Sequence, residues 1–413
     1  MGDRIYVYEE FFEKTELMGY LYSDIIRGTE HHSFEFCNSW LKEHRFNFMI
    51  DPDLSYIPGR QYPVSKTTFG IFSDSSPDRW GRVLMERRER IVADKEFRKP
   101  NKLYAKDYLL GVYDESRMGA VRFKLNESGD FLSSDSETTI PPWTTIRTLE
   151  EAAWNFEDEK TTLQEKWLNQ LMKPGSSLGG ARPKATVSDP DGNLWIAKFP
   201  SRKDEYNVGA WEKTAHDLAK LCGLQSPETR LESFSEYGST FLIKRFDRNS
   251  DRRIHFASAM TLLGKSDGQS EECSYLDIVS FMKSNGGSPK EDLKELWKRM
   301  LFNMLITNSD DHLRNHGFLL TEKGWVLSPL YDINPVPYGN CLSLSIDGIS
   351  NEISIENAIA TAKYYGISVK EAEETANGMI HKIQGNWVKL AEKNRLTRAA
   401  IEYMRPAFSN PVQ

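Results

Sequence analysis

The sequence predicts an α+β protein with a protein-kinase-like order of elements: a β-rich N-terminal part that includes an extra subdomain, and an α-helical C-terminal lobe. Three observations predict it. Runs such as "RIYVYEE", "LWIAKF" and "STFLIKRFD" have strand composition and lie before residue 247. Helix-start signals and helical periodicity dominate afterwards. The length of 413 residues exceeds one ordinary core and predicts two or three subdomains.

Composition narrows the class of protein. Hydrophobic residues make up 39% and charged residues 27% of the chain, as in a globular protein. We expect a cytoplasmic protein without membrane contact, since "MGDRIYVYEE" lacks a signal-peptide core and no apolar run reaches about eighteen residues. The four cysteines are too scattered for a paired metal motif. The net charge of −7 argues against a protein that coats nucleic acid by itself.

Local signals divide the chain into segments 1–125, 126–247 and 248–413. In the first, "SSPD" predicts a turn with Pro77 opening a helix, and "DYLLGVYDESRMGAVRF" predicts a helix followed by a strand after Gly119. The polar stretch from Asn126 to Trp143 has the composition of a linker or long loop, and it sets the first boundary.

The third segment carries the clearest helix. "SPKE" predicts an N-cap at Ser288 with proline at the first helical position. Apolar residues then recur with helical spacing on one face: Leu293, Leu296, Trp297, Met300, Leu301, Met304 and Leu305. Further on, Ser368 and Glu371 predict a capping box, and Thr397 predicts another cap.

Two stretches before residue 200 suit phosphate binding. "PGSSLGGARPKATV" offers Gly179 and Gly180 for close backbone approach and Lys184 as a positive charge, although a flexible hairpin turn is the better explanation of this loop alone. "LWIAKFPS" sets Lys198 in an apolar strand, where a buried lysine would need an anionic partner. An edge-strand lysine pointing to water is the equal alternative.

The stretch "NSDDHLRN" follows the long apolar helix. A kinase needs a carboxylate to accept the substrate proton, and an asparagine and a second aspartate to hold Mg²⁺. Asp310 and Asn315 have the D-x-x-x-x-N spacing, and Asp332 follows a predicted hairpin with its turn at residues 322–324. An Asx-rich helix end is the majority expectation for the stretch by itself. The order of glycine loop, strand lysine, helix, D-x-x-x-x-N, hairpin and aspartate favours the kinase site.

That order supplies further candidates. Glu212 lies on the predicted helix after Lys198, where a kinase carries the acid that pairs with the strand lysine, and a solvent-facing glutamate is the alternative. The backbone at Lys244 and Phe246 would read adenine in the hinge. Asp311 is interpreted as a solvated or structural neighbour of Asp310.

Over nearly its whole length the chain resembles the HipA family of serine/threonine kinases, the toxin halves of bacterial toxin–antitoxin pairs. Besides "NSDDHLRNHGFLL" and "LYDINP", the motifs that carry the resemblance are "SSPDRWGR", "YDESRMGAVRF", "SSLGGARPK", "AKFPS", "IKRFDR" and "RIHFASAMTLLG". Such motifs in a fixed order are far more specific than any one of them.

The resemblance implies a role for each residue. Asp310 would be the catalytic carboxylate, Asn315 and Asp332 would hold Mg²⁺, and Lys198 would contact ATP phosphates. His312 would orient Asp310 or contact nucleotide, with a histidine packed under the loop as the even alternative. Ser177, or its neighbour Ser176, would be autophosphorylated, and the about −1.5 to −2 added charge would repel ATP phosphates and silence the enzyme.

The resemblance also implies partners. The protein substrate would be an aminoacyl-tRNA synthetase, whose phosphorylation stalls translation, as in persistence. A HipB-like helix-turn-helix antitoxin would neutralise the toxin and connect it to DNA indirectly. Two other functions remain open from the sequence: a catalytically weak kinase fold acting as an antitoxin-binding corepressor, and a small-molecule phosphotransferase.

Overall fold

The elements below come from a computed structural model, which describes residues 3–12, 14–44, 46–64, 66–132, 140–158, 164–172, 180–250 and 252–409. The strands are β1 (Asp3–Glu9), β2 (Glu16–Ile26), β3 (Thr29–Phe36), β4 (Arg60–Gln61), β5 (Val121–Lys124), β6 (Lys184–Ser188), β7 (Leu194–Lys198), β8 (Thr229–Glu232), β9 (Thr240–Lys244), β10 (Arg248–Asn249), β11 (Arg252–Arg253), β12 (Phe256–Ser258), β13 (Gly317–Thr321) and β14 (Gly324–Leu327). The helices are α1 (Asn38–Glu43), α2 (Gly70–Asp74), α3 (Arg79–Lys95), α4 (Ala105–Gly111), α5 (Ile146–Phe156), α6 (Gln164–Met172), α7 (Val208–Leu221), α8 (Ala259–Leu262), α9 (Tyr275–Asn285), α10 (Pro289–Leu305), α11 (Ile355–Thr361), α12 (Val369–Lys393) and α13 (Arg398–Ser409).

The chain divides into two compact units. The first contains residues 1–202 and 244–257, and the second contains residues 203–243 and 258–413. This mixture of sheets and helices confirms the predicted α+β class. The division into segments 1–125, 126–247 and 248–413 stays a prediction. Among the described helices, none combines the length and the apolar character needed to span a bilayer.

In the first unit, five strands form an antiparallel sheet in the order β4-β3-β2-β1-β5. Alternate residues of β1 face the core, because successive side chains of a strand point to opposite sides. Strands β6 and β7 pair as an antiparallel hairpin, closed by Asp189, which accepts hydrogen bonds from Asn193 N (2.8 Å) and from Trp195 Nε1 (2.9 Å). This hairpin ends at Lys198.

In the second unit, α10 confirms the predicted helix. All seven residues of its predicted apolar face are buried, and Trp297 Nε1 donates to the backbone oxygen of Ala358 (2.8 Å). Burial extends beyond that face, since Glu295, Arg299 and Asn303 are also buried. The polar side chains are accommodated by pairing, as in the 2.9 Å contact between Arg299 Nε and Glu295 Oε1.

Some predicted helix starts differ in detail. Helix α3 begins after Asp78, whose carboxylate accepts from Gly81 N, so Pro77 lies just outside the helix. Ser288 makes no side-chain capping bond to α10. At α12, Ser368 accepts from Glu371 N, but the Glu371 carboxylate bonds to Lys294 (2.8 Å), so only half of the capping box forms. Thr397 accepts from Ala400 N (3.2 Å), as expected of a cap. The region after Asp247 also contains short strands that the helical prediction missed.

A buried ionic cluster joins two motifs of the first unit. Asp247 is fully buried and accepts hydrogen bonds from Arg245, from Arg248 and from the backbone N of Gly119. Arg245 in turn donates to the backbone oxygens of Ser116 (2.7 Å) and Arg117 (3.1 Å). Burial opposes ionisation of Asp247, but the two guanidinium groups hold its pKa well below the ordinary value. "IKRFDR" is thereby fixed to "YDESRMGAVRF".

We expect Asp247→Asn to lower the free energy of unfolding by about 3–5 kcal/mol, because it leaves buried guanidinium groups without their counter-charge. Urea denaturation followed by circular dichroism measures the change. The control is Glu228→Gln, which removes the exposed ion pair with Arg230 and should leave the midpoint unchanged. Equal midpoints for Asp247→Asn and the wild type would contradict the structural role of the cluster.

Candidate active site

The site lies in the second unit, on the segment that follows α10. The helix ends at Leu305, and Thr307 then adopts a left-handed backbone conformation (φ 50°). This conformation is costly for a β-branched residue. Thr307 is held there by its hydroxyl, which donates to the backbone oxygen of Ala407 (2.7 Å). The chain thus turns sharply into residues 308–312, and a single 3₁₀ turn follows at Leu313–Asn315.

Asp310 presents its carboxylate to solvent, with three quarters of the side chain exposed (75%). His312 Nε2 lies 3.7 Å from Asp310 Oδ1. Partial shielding from water raises the pKa of Asp310; His312 lowers it, and the negative charge of Asp332 raises it. Solvent screening limits this shift. His312 thus lies within ion-pair distance of the Asp310 carboxylate but beyond hydrogen-bond distance.

The side-chain amide of Asn315 is fixed in orientation. Its Nδ2 donates to the backbone oxygen of Asp310 (2.7 Å), which fixes the orientation of the amide. Its Oδ1 is buried and has no hydrogen-bond partner among the residues that the structure describes. An amide oxygen without a partner is a suitable ligand for Mg²⁺, which prefers oxygen. The donor set of Asn315 and Asp332 thus fits the predicted ion.

Asp332 follows the predicted hairpin, which the structure confirms as β13 and β14. It too adopts a left-handed backbone conformation (φ 56°), an uncommon state for a non-glycine residue that is enriched at functional sites. The preceding residue, Tyr331, donates its hydroxyl to the backbone oxygen of Arg314 (2.6 Å). That bond ties the Asp332 segment to the segment carrying Asn315.

Asp311 is buried and supports the site from below (1% exposed). Its carboxyl group accepts hydrogen bonds from the hydroxyl of Tyr275 (2.5 Å) and from the backbone N of Ser343 (2.6 Å). Asn303 Nδ2 donates to the same Tyr275 oxygen (3.1 Å). Burial raises the pKa of Asp311 to about 7, against the lowering effect of these bonds. Of the two predicted alternatives, Asp311 is thus structural and not solvated.

The sequence did not single out Tyr275, Asn303 or Ser343. The one available signal was Asn303, a polar residue inside the apolar helix α10. Tyr275 and Ser343 lie 36 and 32 residues from Asp311 along the chain, so no local spacing connects them.

Lys198 and Glu212 are both buried (6% and 1% exposed), which excludes the alternatives of a lysine and a glutamate facing water. Lys198 belongs to the first unit and Glu212 to the second, and their pairing stays a prediction. Lys244 and Phe246 are half-buried, and the Phe246 ring packs 6.1 Å from that of Phe256 between centroids.

Lys184 is engaged in a buried ion pair, with Nζ 2.9 Å from Asp78 Oδ2. The pair lies within the first unit, and Lys184 Nζ also donates to the backbone oxygen of Gly180 (3.4 Å). Gly180 has a positive φ of 101°. Ser176, Ser177 and Gly179 lie outside the described residues, and so does most of the glycine-rich loop.

Comparison with known proteins identifies the class. The HipA-like C-terminal domain family matches residues 176–387, and the chain belongs to this family. The predicted family resemblance is therefore confirmed.

Individual relatives agree with this assignment. The HipA of Shewanella oneidensis, solved with HipB and operator DNA, has a similar fold, with a TM-score of 0.66, 15% identity, and coverage of 99% of this chain and 96% of that one. The serine/threonine-protein kinase toxin HipA of Shewanella oneidensis is 24% identical over 55% of this chain and 59% of its own length. Y4dM of Sinorhizobium fredii, which is named as a kinase without an assigned substrate, is 25% identical over 51% of this chain and 54% of its own length. The chain spans about half the length of these curated relatives.

We expect Asp311→Asn to lower the free energy of unfolding by roughly 1–3 kcal/mol, because the amide has one acceptor oxygen where the carboxyl group uses two, for Tyr275 and for Ser343 N. The pKa of Asp311 is raised to about 7 in the folded state, so the stability due to its bound proton is present below about pH 4 and lost as the pH rises through 7. The difference in free energy of unfolding between the wild type and Asp311→Asn should therefore shrink as the pH rises from about 4 to 7. Urea denaturation at several pH values measures this difference in stability. Asp191→Asn, in the exposed β6–β7 turn, is the control. A difference independent of pH would contradict the structural role of the protonated Asp311 carboxyl group.

Proposed function

We propose that this protein is an ATP- and Mg²⁺-dependent serine/threonine protein kinase of the HipA type. The observation that carries the proposal is the arrangement around Asp310. The Asp310 carboxylate is exposed, the negative charge of Asp332 raises its pKa, and Asn315 is fixed with an Oδ1 that has no hydrogen-bond partner among the described residues. This is the set of groups that phosphoryl transfer to a hydroxyl requires.

The roles follow from the geometry. Asp310 accepts the proton of the substrate hydroxyl, and its exposure leaves the carboxylate accessible to a protein side chain. His312, 3.7 Å away, orients that carboxylate. Asn315 and Asp332 would hold Mg²⁺, which when bound neutralises charge on the phosphate oxygens. Lys198 would contact the phosphates and pair with Glu212, and Lys244 and Phe246 would contact adenine through their backbone.

Regulation and partners extend this proposal. Autophosphorylation of Ser177, with Ser176 as the alternative, would silence the kinase by repelling the nucleotide phosphates. The protein substrate would be an aminoacyl-tRNA synthetase, and growth arrest would follow from stalled translation in the cytoplasm. A HipB-like helix-turn-helix antitoxin would neutralise the toxin and connect it to DNA. The support for that partner is the similarity of fold to a HipA solved with HipB and operator DNA.

We expect Asp310→Asn to reduce phosphate incorporation from labelled ATP by about a hundredfold or more, because the amide cannot accept the proton. The measurement is label incorporated into the protein and into a bacterial lysate, with Mg²⁺ present. Asp191→Asn is the matched control and should label like the wild type. Equal labelling by Asp310→Asn would overturn the role of that residue.

Two other outcomes would support the alternative functions. A wild type that incorporates no label but still binds an antitoxin would support the corepressor function. Phosphate transfer to small molecules alone would support a small-molecule phosphotransferase.

We expect Ser177→Ala to abolish most self-labelling while leaving ATP binding intact, since the hydroxyl accepts the phosphoryl group and is not needed to bind the nucleotide. Ser176→Ala is the matched control and should retain self-labelling. Peptide mass spectrometry locates the phosphate. Finding the phosphate on Ser176, or at another position, would reject Ser177 as the acceptor.

A further inference from the structure

A second cluster of ligand-type side chains lies in the first unit, on the N-terminal sheet. Glu9, Glu16 and His44 each offer one ligand atom, and these three atoms lie within 4.8 Å of one another. His44 Nε2 is 3.0 Å from Glu16 Oε2 and 3.9 Å from Glu9 Oε1. The kinase proposal assigns no role to any of the three.

The two glutamates are directly opposite each other on neighbouring strands. Glu9 ends β1, Glu16 begins β2, and the two are register partners in the antiparallel pair. Like charges directly opposite in a sheet repel and destabilise the pair. Only 2% of Glu9 is exposed to water that would screen this repulsion. A cation between the carboxylates would remove this repulsion, as would a proton on one of them.

The environment of His44 shows which of its nitrogens faces that position. Nδ1 lies 3.0 Å from the backbone oxygen of Trp40, which can only accept, so Nδ1 carries the proton. In the neutral ring Nε2 then directs a lone pair at two carboxylates, a repulsive arrangement without a cation. A metal-binding histidine characteristically donates its other nitrogen to a carbonyl in this way. The ring is also held by stacking on Trp40, with centroids 4.6 Å apart and planes inclined by 14°.

Glu9 is oriented in a comparable way. Its Oε1 accepts from Trp40 Nε1 (3.0 Å), and its Oε2 accepts from the backbone N of Phe11. Both bonds leave lone pairs on the carboxylate and fix its rotamer. A ligating carboxylate is commonly supported by such outer hydrogen bonds. In the cluster, the His44 ring and the Glu9 carboxylate are therefore fixed in orientation, and the less buried Glu16 provides the third ligand atom.

We propose that Glu9, Glu16 and His44 bind one divalent transition-metal ion of the Zn²⁺ class. One imidazole and two carboxylates suit Zn²⁺, whereas Mg²⁺ and Ca²⁺ prefer oxygen ligands alone. The three protein ligands leave a fourth position for water. The bound ion would join the β1–β2 hairpin to the end of α1 and remove the repulsion between the glutamates. A proton shared within the cluster is the alternative to a metal ion.

Zinc titration of the chelator-treated full chain tests the proposal. Isothermal titration calorimetry is run with excess Mg²⁺, which saturates oxygen-only sites, and in a Cys341→Ser background, because Cys341 is an exposed free thiol. We expect one equivalent of Zn²⁺ to bind. His44→Gln and Glu16→Gln should each weaken that binding at least tenfold. His31→Gln, which changes an exposed histidine on β3, is the matched control and should bind like the parent.

A second measurement covers the case in which a variant folds poorly. Zn²⁺ should raise the thermal unfolding midpoint of the parent and of His31→Gln but not that of His44→Gln, because only a ligand bound to the folded state stabilises it. Circular dichroism checks that each variant is folded. Unchanged Zn²⁺ binding in His44→Gln overturns the proposal. A parent that binds no Zn²⁺ also overturns it.

Discussion

The carboxyl group of Asp311 is the constraint on which the candidate active site depends. It is buried between the Tyr275 hydroxyl and the backbone of Ser343, while the carbonyl of Asp311 lies 3.1 Å from His316 Nε2. On the other side of Asp310, the carbonyl of Ser309 accepts from Ser343 Oγ (2.8 Å). Both neighbours of Asp310 are therefore fixed from below, and the side chain between them projects into solvent. Burying one aspartate thus presents the other.

The second half of the site is fixed through backbone oxygens. Asn315 donates to the carbonyl of Asp310, which closes the loop at residues 310–315. Tyr331 donates to the carbonyl of Arg314, which ties the segment carrying Asp332 to that loop. The left-handed backbone of Asp332 costs about 1–3 kcal/mol and persists only where surrounding contacts hold it. Asn315 is held through its amide nitrogen, while its Oδ1 has no hydrogen-bond partner among the residues that the structure describes. Such fixed positions reduce the reorganisation that metal binding would demand.

The sequence was sufficient for features whose signals are local. The periodicity of α10, the hairpin of β13 and β14, and the five-residue spacing of Asp310 and Asn315 all depend on neighbours in the chain. The fold and the family were predictable because many such motifs occur in order. The support of Asp311 was not predictable, because Tyr275 and Ser343 come from distant segments and a hydroxyl or a backbone N–H has no distinctive pattern. The same limit applies to Asp78, which lies 106 residues from Lys184.

The Lys184–Asp78 pair shows how a distant partner changes the meaning of a predicted residue. Lys184 and Lys198 are register partners on β6 and β7, and both are buried, so two positive charges are opposed in a low dielectric. Asp78 compensates the charge of Lys184 at 2.9 Å while also capping α3 through Gly81 N. A buried ion pair contributes little net stability, so fixing the base of the glycine-rich loop to α3 is the better account of its presence. Contact of Lys184 with a nucleotide phosphate would then require this pair to open.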